Sequence, residues 1–258
     1  MPEPDARQPN PRLAQLPAVQ HLTVRYAKRG KMRFASHRDV ARAFERGVRR
    51  AGLPIAYSAG FSPHPKISYA GGAPTGAASE AEYLSLALTA RQSETQVCQR
   101  LGAVMPDGID VIDVTEETSE APKGSLEASE WCVALPGVRP TAAEQAVASF
   151  LALGEALVER LTDKGVRRLD ARAAVVEMNV IDADEIAADP DGGQRAAMTG
   201  LEDCTLLRIV VLHTAPAVRP EDILTALRDG NGIVPSSPPL TTRLAQGSRA
   251  LLTGETGS

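Results

Sequence analysis

The order in which two hydrophobic periodicities follow one another in the first half of the chain constrains the fold most. "LTVRYAK" (22–28) alternates apolar and polar side chains, as a half-buried strand does. Val40, Phe44 and Val48 then recur every four residues, which predicts a helix with one buried face. "KISYAG" and "EYLSLALTA" predict two more strands, "ETQVCQRLGAVM" a second helix and "IDVIDV" (109–114) a last strand. This β-α-β-β-α-β order is typical of a ferredoxin-like sandwich.

A second region of the chain repeats this order. Residues 115–128 are acidic, contain Pro and Gly and lack periodicity, which predicts an interdomain linker. The repeated strands and helices are predicted in the segments "WCVAL", "TAAEQAVASFLALG", "ARAAVVEMNVI", "TLLRIVVLHTA", "PEDILTALRDG" and "LTTRLAQGS" (240–248). We therefore predict an α+β fold of two tandem ferredoxin-like domains, residues 21–114 and 129–248, with antiparallel sheets and helices on one face. Residues 182–203 are predicted to be a polar insertion in the second domain, 1–20 a disordered N-terminal tail and 249–258 a C-terminal tail.

Neither a membrane anchor nor a metal centre is indicated. The first twenty residues contain five prolines and no apolar run, and no later stretch approaches the roughly 20 apolar residues that a membrane span needs. We therefore expect a cytoplasmic protein. Cys98, Cys132 and Cys204 lie far apart and form no CxxC pair, so the sequence predicts no metal site and no cofactor in this chain.

Charge is distributed very unevenly along the chain. The net charge is −4, yet residues 22–66 contain eleven basic and two acidic residues. Such asymmetry indicates a surface that binds a polyanion. Within the first predicted helix, Arg38, Arg42, Arg46 and Arg50 recur every four residues and form a basic stripe away from the apolar face. A solvated helix face, with Glu45 paired to Arg49, is the alternative interpretation of the stripe.

The segment "GFSPHPKISYAGGAPTG" (60–76) combines a rigid proline-containing backbone with a flexible glycine-containing one. Pro63 and Pro65 stiffen the backbone around His64, whereas Gly71 and Gly72 allow the backbone to approach a bulky ligand. If the helix start and the entry to the second strand share one rim, His37 approaches His64 there. The residues predicted to bind RNA or another anion are Lys31, Arg33, Ser36, His37, Arg38, Arg42, Arg46, Arg50, His64 and Lys66, and the loop residues are Gly60, Phe61, Pro63, Pro65, Gly71 and Gly72.

Several roles for these side chains stay open at this point. Ser36 and Asp39 are spaced as a helix cap, and a helix N-terminus favours anions. His64 could instead bind a carbonyl in a proline-rich turn. Aromatic side chains could stack on bases or belong to the core, namely Tyr57, Phe61 and Tyr69.

Residues 25–88 resemble the radical SAM-linked family that carries the DUF2344 domain. The shared pattern is an F-x-S-H-x-D helix start, an R-R-A-G-L-P helix end, a G-F-x-P-H-P-K turn and an S-E-A-E-Y strand. Members of the family occur beside or fused to radical SAM proteins, so the resemblance implies a radical SAM partner. Because this chain lacks a cluster-binding cysteine motif, it would be the accessory part. The positions carried over by motif are Ser36, His37, Asp39, Gly60, Phe61, Pro63, His64, Pro65 and Lys66.

Three functions are consistent with these features. The first, which we prefer, is a non-catalytic accessory module that holds RNA or another phosphate-bearing substrate for a radical SAM enzyme. The second is an RNA-processing or RNA-modifying enzyme in which His37 and His64 form an acid–base pair, with Lys66 or an arginine stabilising the developing charge. The third is a protein-interaction scaffold for the radical SAM partner. An analogy with CRISPR RAMP-type RNA endonucleases, which use tandem ferredoxin-like domains, makes RNA a natural candidate but transfers no chemistry.

Overall fold

The structure is a computed structural model that describes residues 16–59, 62–117, 126–162, 165–182 and 204–254. The described residues divide into two compact units. The first unit contains the described residues up to Thr75 together with those from Glu82 to 117. The second contains Gly76–Ala81 and the described residues from 126 onward.

The first unit is a sheet with two helices. Its elements are β1 (Gln20–Lys28), a 3₁₀ turn (Gly30–Phe34), α1 (His37–Arg50), β2 (Ile67–Ala70), β3 (Ala78–Leu88, whose first four residues belong to the second unit), α2 (Glu94–Gly102) and β4 (Ile109–Glu116). β1 pairs antiparallel with β4, β3 lies on the other side of β1, and β2 pairs antiparallel with β3. The strand order is therefore β4-β1-β3-β2.

The core of this unit combines buried residues of the sheet with the apolar faces of α1 and α2. Leu22, Val24 and Tyr26 are buried at alternate positions of β1 and pack in one cluster with Val40, Phe44 and Val48 of the helix. Phe44 is fully buried, and its ring meets that of Tyr26 edge to face, with the centroids 4.6 Å apart. The periodicities that predicted β1 and α1 therefore correspond to the packed faces. This packing also determines which side of α1 faces outward.

The second unit repeats the order with an extra hairpin and two short additional helices. Its elements are β5 (Ala128–Pro136), α3 (Pro140–Leu151), β6 (Leu157–Thr162), β7 (Gly165–Asp170), α4 (Ala171–Ala174), β8 (Val175–Ile181), β9 (Cys204–Leu212), α5 (Pro220–Asn231), β10 (Leu240–Gly247) and α6 (Arg249–Thr253). The sheet order is β10-β5-β9-β8 with antiparallel pairs, and β6 and β7 form a separate antiparallel pair. Ala78 and Ser79 pair in parallel with Thr242 and Arg243 of β10.

The structure confirms a mixed α and β fold with mostly antiparallel sheets. The sequence prediction was wrong over residues 171–174, where the chain forms α4 before β8 begins. The physical reason is the side chain of Asp170, which accepts hydrogen bonds from the backbone N–H groups of Arg172 and Ala173 and caps a helical turn. The sequence prediction also missed the β6–β7 hairpin. The predicted insertion at 182–203 lies almost entirely outside the described residues.

None of the helices in the described part of the chain combines the length and apolar character that a membrane-spanning helix requires.

Candidate functional site

Ser36 and Asp39 cap the N-terminus of α1, as the sequence predicts. The hydroxyl of Ser36 accepts a hydrogen bond from the backbone N–H of Asp39 at 3.2 Å. The carboxylate of Asp39 in return accepts from the Ser36 hydroxyl at 2.7 Å and from the Ser36 backbone N–H at 3.2 Å. These bonds, with a smaller contribution from Arg42, lower the pKa of Asp39 below its ordinary value. The two residues satisfy each other, as in a capping box.

The outward side of α1 carries an unusual density of exposed arginines. The buried side consists of Val40, Ala43, Phe44, Gly47 and Val48. The exposed arginines, which we call the arginine face, are Arg38, Arg42, Arg46, Arg49 and Arg50. Because an α-helix rises about 1.5 Å per residue, this face extends for about 18 Å along the helix.

Within the described part of the chain, no member of the arginine face forms an ion pair with a carboxylate. The ion pairs found there within 4.0 Å involve other arginines and leave all five of these without a partner. The Glu45–Arg49 pair, which would have made the face a self-compensated helix surface, is not among them. The charge of Glu45 instead acts on Tyr69, whose pKa is raised first by burial and second by that carboxylate.

His37 lies at the start of α1 and packs against Tyr69. The two rings meet edge to face with centroids 5.1 Å apart, and Tyr69 contacts Phe44 on the core side, with centroids 6.4 Å apart. The Tyr69 hydroxyl donates a hydrogen bond to the carbonyl of Ala41 at 3.5 Å. Tyr57 also packs against the core, and Gly60 and Phe61 lie outside the described residues. Tyr57 and Tyr69 therefore contribute to packing.

Two buried charged residues hold the glycine loop beside His37. The ammonium of Lys28 donates to the carbonyls of Ala73 and Pro74 at 3.3 Å each. Both carboxylate oxygens of Glu82 lie 3.2 Å from the backbone N–H of Ala73. Each of these two charged residues is only 3% exposed. Charged side chains are rarely buried unless they are paired, and these two use backbone groups of the loop as hydrogen-bond partners. The loop therefore has a defined position.

Gly72 lies beside two polar groups. A Cβ at Gly72 would lie 3.7 Å from Nδ1 of His37 and 3.9 Å from Oε2 of Glu82. An imidazole from α1 and a carboxylate from β3 therefore approach the same point from two elements. The imidazole is exposed, whereas the carboxylate is buried and accepts a hydrogen bond from the backbone N–H of Ala73.

Sequence reasoning did not predict that Lys28 and Glu82 are buried, although a signal was present. Lys28 continues the alternation of buried residues in β1, and Glu82 is in phase with the buried Leu84 and Leu86 of β3. A charged residue in the apolar phase of a strand is a sign of a buried polar contact.

The proline-rich peptide lies elsewhere, at the entry to β2. The backbone N–H of His64 donates to the hydroxyl of Ser58 at 3.0 Å, and its carbonyl accepts from the Ser58 N–H at 2.9 Å. The N–H of Lys66 donates to the carbonyl of Ala56 at 2.8 Å. Both His64 and Lys66 are exposed, and within the described residues the His64 imidazole forms no hydrogen bond. These backbone contacts, together with the two prolines, define the direction of the peptide.

The structure does not bring His37 and His64 together. His64 precedes β2 and pairs with Ser58, whereas His37 packs against Tyr69 and lies beside Gly72, at the end of that strand. The expectation of a shared rim assumed that α1 begins near the entry to β2, but α1 begins near its end. The two remaining basic candidates lie in the 3₁₀ turn. Lys31 is exposed, and burial lowers the pKa of the half-buried Arg33.

Comparison with protein families supplies one match. A family described as uncharacterized protein conserved in bacteria (DUF2344) matches residues 21–220, which is more than half of the chain, and the chain belongs to this family. No curated protein is similar enough to this chain to count as a match.

Proposed function

We propose that this member of the DUF2344 family is an accessory module that binds RNA, or another phosphate-bearing substrate, on the arginine face of α1 and works with a separate radical SAM enzyme. The observation that carries the proposal is the set of five exposed arginines on one helix, none of which forms an ion pair with another described residue. Arginine binds phosphate through two parallel hydrogen bonds and suits this task better than a point charge.

The position of these arginines argues against a purely structural role. Arg49 and Arg50 lie in the last turn, where positive charge stabilises a helix through its dipole. Arg38, however, is the second residue of α1, where the same dipole disfavours a cation. Arg42 and Arg46 lie between the two ends and gain little from the dipole. A polyanion that follows the helix would offset the mutual repulsion of the arginines.

The radical SAM partnership rests on the motifs shared over residues 25–88 and on the absence of a cluster-binding cysteine motif from this sequence. We also assign both units to the ferredoxin-like class. The element order and the strand orders β4-β1-β3-β2 and β10-β5-β9-β8 support this assignment. A β-sheet that carries a basic helix is a suitable scaffold for presenting a bound substrate to a second protein.

Charge reversal tests the proposal. Arg42→Glu combined with Arg46→Glu removes two central members of the arginine face. Arg167→Glu combined with Arg168→Glu makes the same change in net charge at two exposed residues of β7 and is the matched control. In filter binding to single-stranded RNA at low salt, we expect the first variant to lose at least tenfold in affinity and the control to stay close to wild type. Equal affinity in all three proteins, or an equal loss in both variants, would refute the proposal.

The same RNA distinguishes the alternatives. RNA cleavage that is lost in His64→Ala or His37→Ala and retained in the α1 variant would favour the enzyme. The separation of the two histidines along β2 gives no support to a shared acid–base step. Co-purification with a radical SAM protein that survives nuclease treatment and is lost on reversal of Arg42 and Arg46 would favour the scaffold.

A further inference from the structure

Among the described phenylalanine, tyrosine and tryptophan side chains, Phe34 is the exposed one. It is 67% exposed, whereas Phe44 and Phe150 are fully buried and Trp131 is 5% exposed. The described tyrosines are buried or half-buried. A single exposed apolar residue needs no explanation by itself. Phe34 differs from such a residue in two ways: hydrogen bonds anchor the backbone of its turn, and the side chains around its ring are basic.

The backbone that presents Phe34 is held in place. The N–H of Met32 donates to the carbonyl of Arg29 at 3.0 Å, and the N–H of Ala35 donates to the carbonyl of Met32 at 3.0 Å. The N–H of Arg29 donates to the carbonyl of Gly108 at 2.8 Å, and the side chain of Met32 packs against the core of the first unit. The ring of Phe34 therefore projects from an anchored turn, so that little backbone ordering accompanies its contact with a ligand.

The surroundings of the ring are basic. The guanidinium of Arg33 lies over the Phe34 ring, 5.9 Å from its centroid, and Lys31 is exposed in the same turn. Phe34 precedes Arg38, the first member of the arginine face, by four residues, so their Cα atoms are at most about 14 Å apart. Proteins that bind single strands combine an aromatic platform of this kind with a positively charged track for the backbone.

We propose that Phe34 is a stacking platform for an unpaired base of single-stranded RNA whose phosphates follow Arg38, Arg42 and Arg46. The inference rests on the proposed function and narrows its substrate class. In a duplex the bases are stacked on one another, and a base-free polyanion has no base that could stack on Phe34. Phe34 therefore adds affinity only for a strand with accessible bases.

Three probes of equal charge test the platform: a single-stranded RNA 12-mer, the same backbone without bases, and polyphosphate of matched length. Phe34→Ala is compared with Phe34→Trp, which keeps a stacking ring. Since one base stacked on an aromatic ring contributes about 1–3 kcal/mol, Phe34→Ala should weaken RNA binding by about 5- to 150-fold. Its affinity for the two base-free probes should stay unchanged, and Phe34→Trp should bind RNA as well as wild type.

The possible outcomes separate the two proposals. A loss of RNA affinity in Phe34→Ala that is equalled on the base-free probes would overturn stacking. RNA affinity that is unchanged in Phe34→Ala but reduced by reversal of Arg42 and Arg46 would overturn stacking and leave the proposed function intact. If neither variant weakens RNA binding, both proposals fail. Because Phe34 is exposed, the Tm values of its variants should match that of wild type. This comparison is the control for folding.

Discussion

Replacing Glu82 by alanine should release the glycine loop beside His37 without unfolding the chain. The Glu82 carboxylate is 3% exposed and accepts from the N–H of Ala73, with both oxygens at 3.2 Å. Its removal leaves that N–H without its acceptor. An unsatisfied buried donor costs about 1–3 kcal/mol, and because Ala73 is half-buried, water lowers this toward about 1 kcal/mol. Lys28 still holds the carbonyls of Ala73 and Pro74, so the loop keeps its second anchor.

Amide hydrogen exchange, read by mass spectrometry on peptides that cover residues 71–75, measures this release. A loss of about 1 kcal/mol in the free energy of local opening corresponds to about fivefold faster exchange. Glu82→Gln is the matched control because its amide keeps the shape and one acceptor oxygen, and it should exchange more slowly than Glu82→Ala. If loop exchange in Glu82→Ala equals that of wild type, the carboxylate does not hold the loop.

Two further predictions concern stability. The pKa of Asp39 is lowered in the folded chain, so its carboxylate stabilises the fold at pH values above the pKa of an unfolded aspartate, about 4. This stabilisation is lost as the pH falls through the lower pKa of the folded state. The Tm difference between wild type and Asp39→Asn should therefore be present at neutral pH and close in strong acid, and a difference independent of pH would contradict it. Gly108 has φ +86°, and a Cβ there would lie 2.6 Å from the carbonyl oxygen of Arg29. Gly108→Ala should therefore lower the free energy of unfolding in urea by at least about 1 kcal/mol. Gly154→Ala is the control and should be nearly neutral, because a Cβ there meets no atom within 4 Å. Equal urea midpoints for the two variants would refute the steric argument.

Local patterns predicted the basic helix well because its determinants lie within a few residues of one another. The spacing of Val40, Phe44 and Val48 identifies the buried face of α1, and the spacing of Ser36 and Asp39 identifies its cap. Both depend only on helical geometry, and the structure confirms both.

The relation between His37 and His64 could not be obtained in this way. It depends on the register of β2 against β3 and on which end of β2 the start of α1 approaches. Tertiary packing decides both. The buried positions of Lys28 and Glu82 were obscured for another reason, since charged residues are usually exposed and only their phase within the strands indicated otherwise. The helical turn that Asp170 caps was missed because its four residues, 171–174, run directly into the β-branched residues of β8.

The most direct test of the account is to find where RNA contacts the chain. Single-stranded RNA is crosslinked to the full-length protein by ultraviolet light, and the crosslinked peptides are identified by mass spectrometry. The account predicts crosslinks between residues 30 and 50, where Phe34 and the arginine face lie, and their loss when Arg42 and Arg46 are reversed. Crosslinks confined to the second unit, for example to the β6–β7 hairpin, with none between residues 30 and 50, would contradict it.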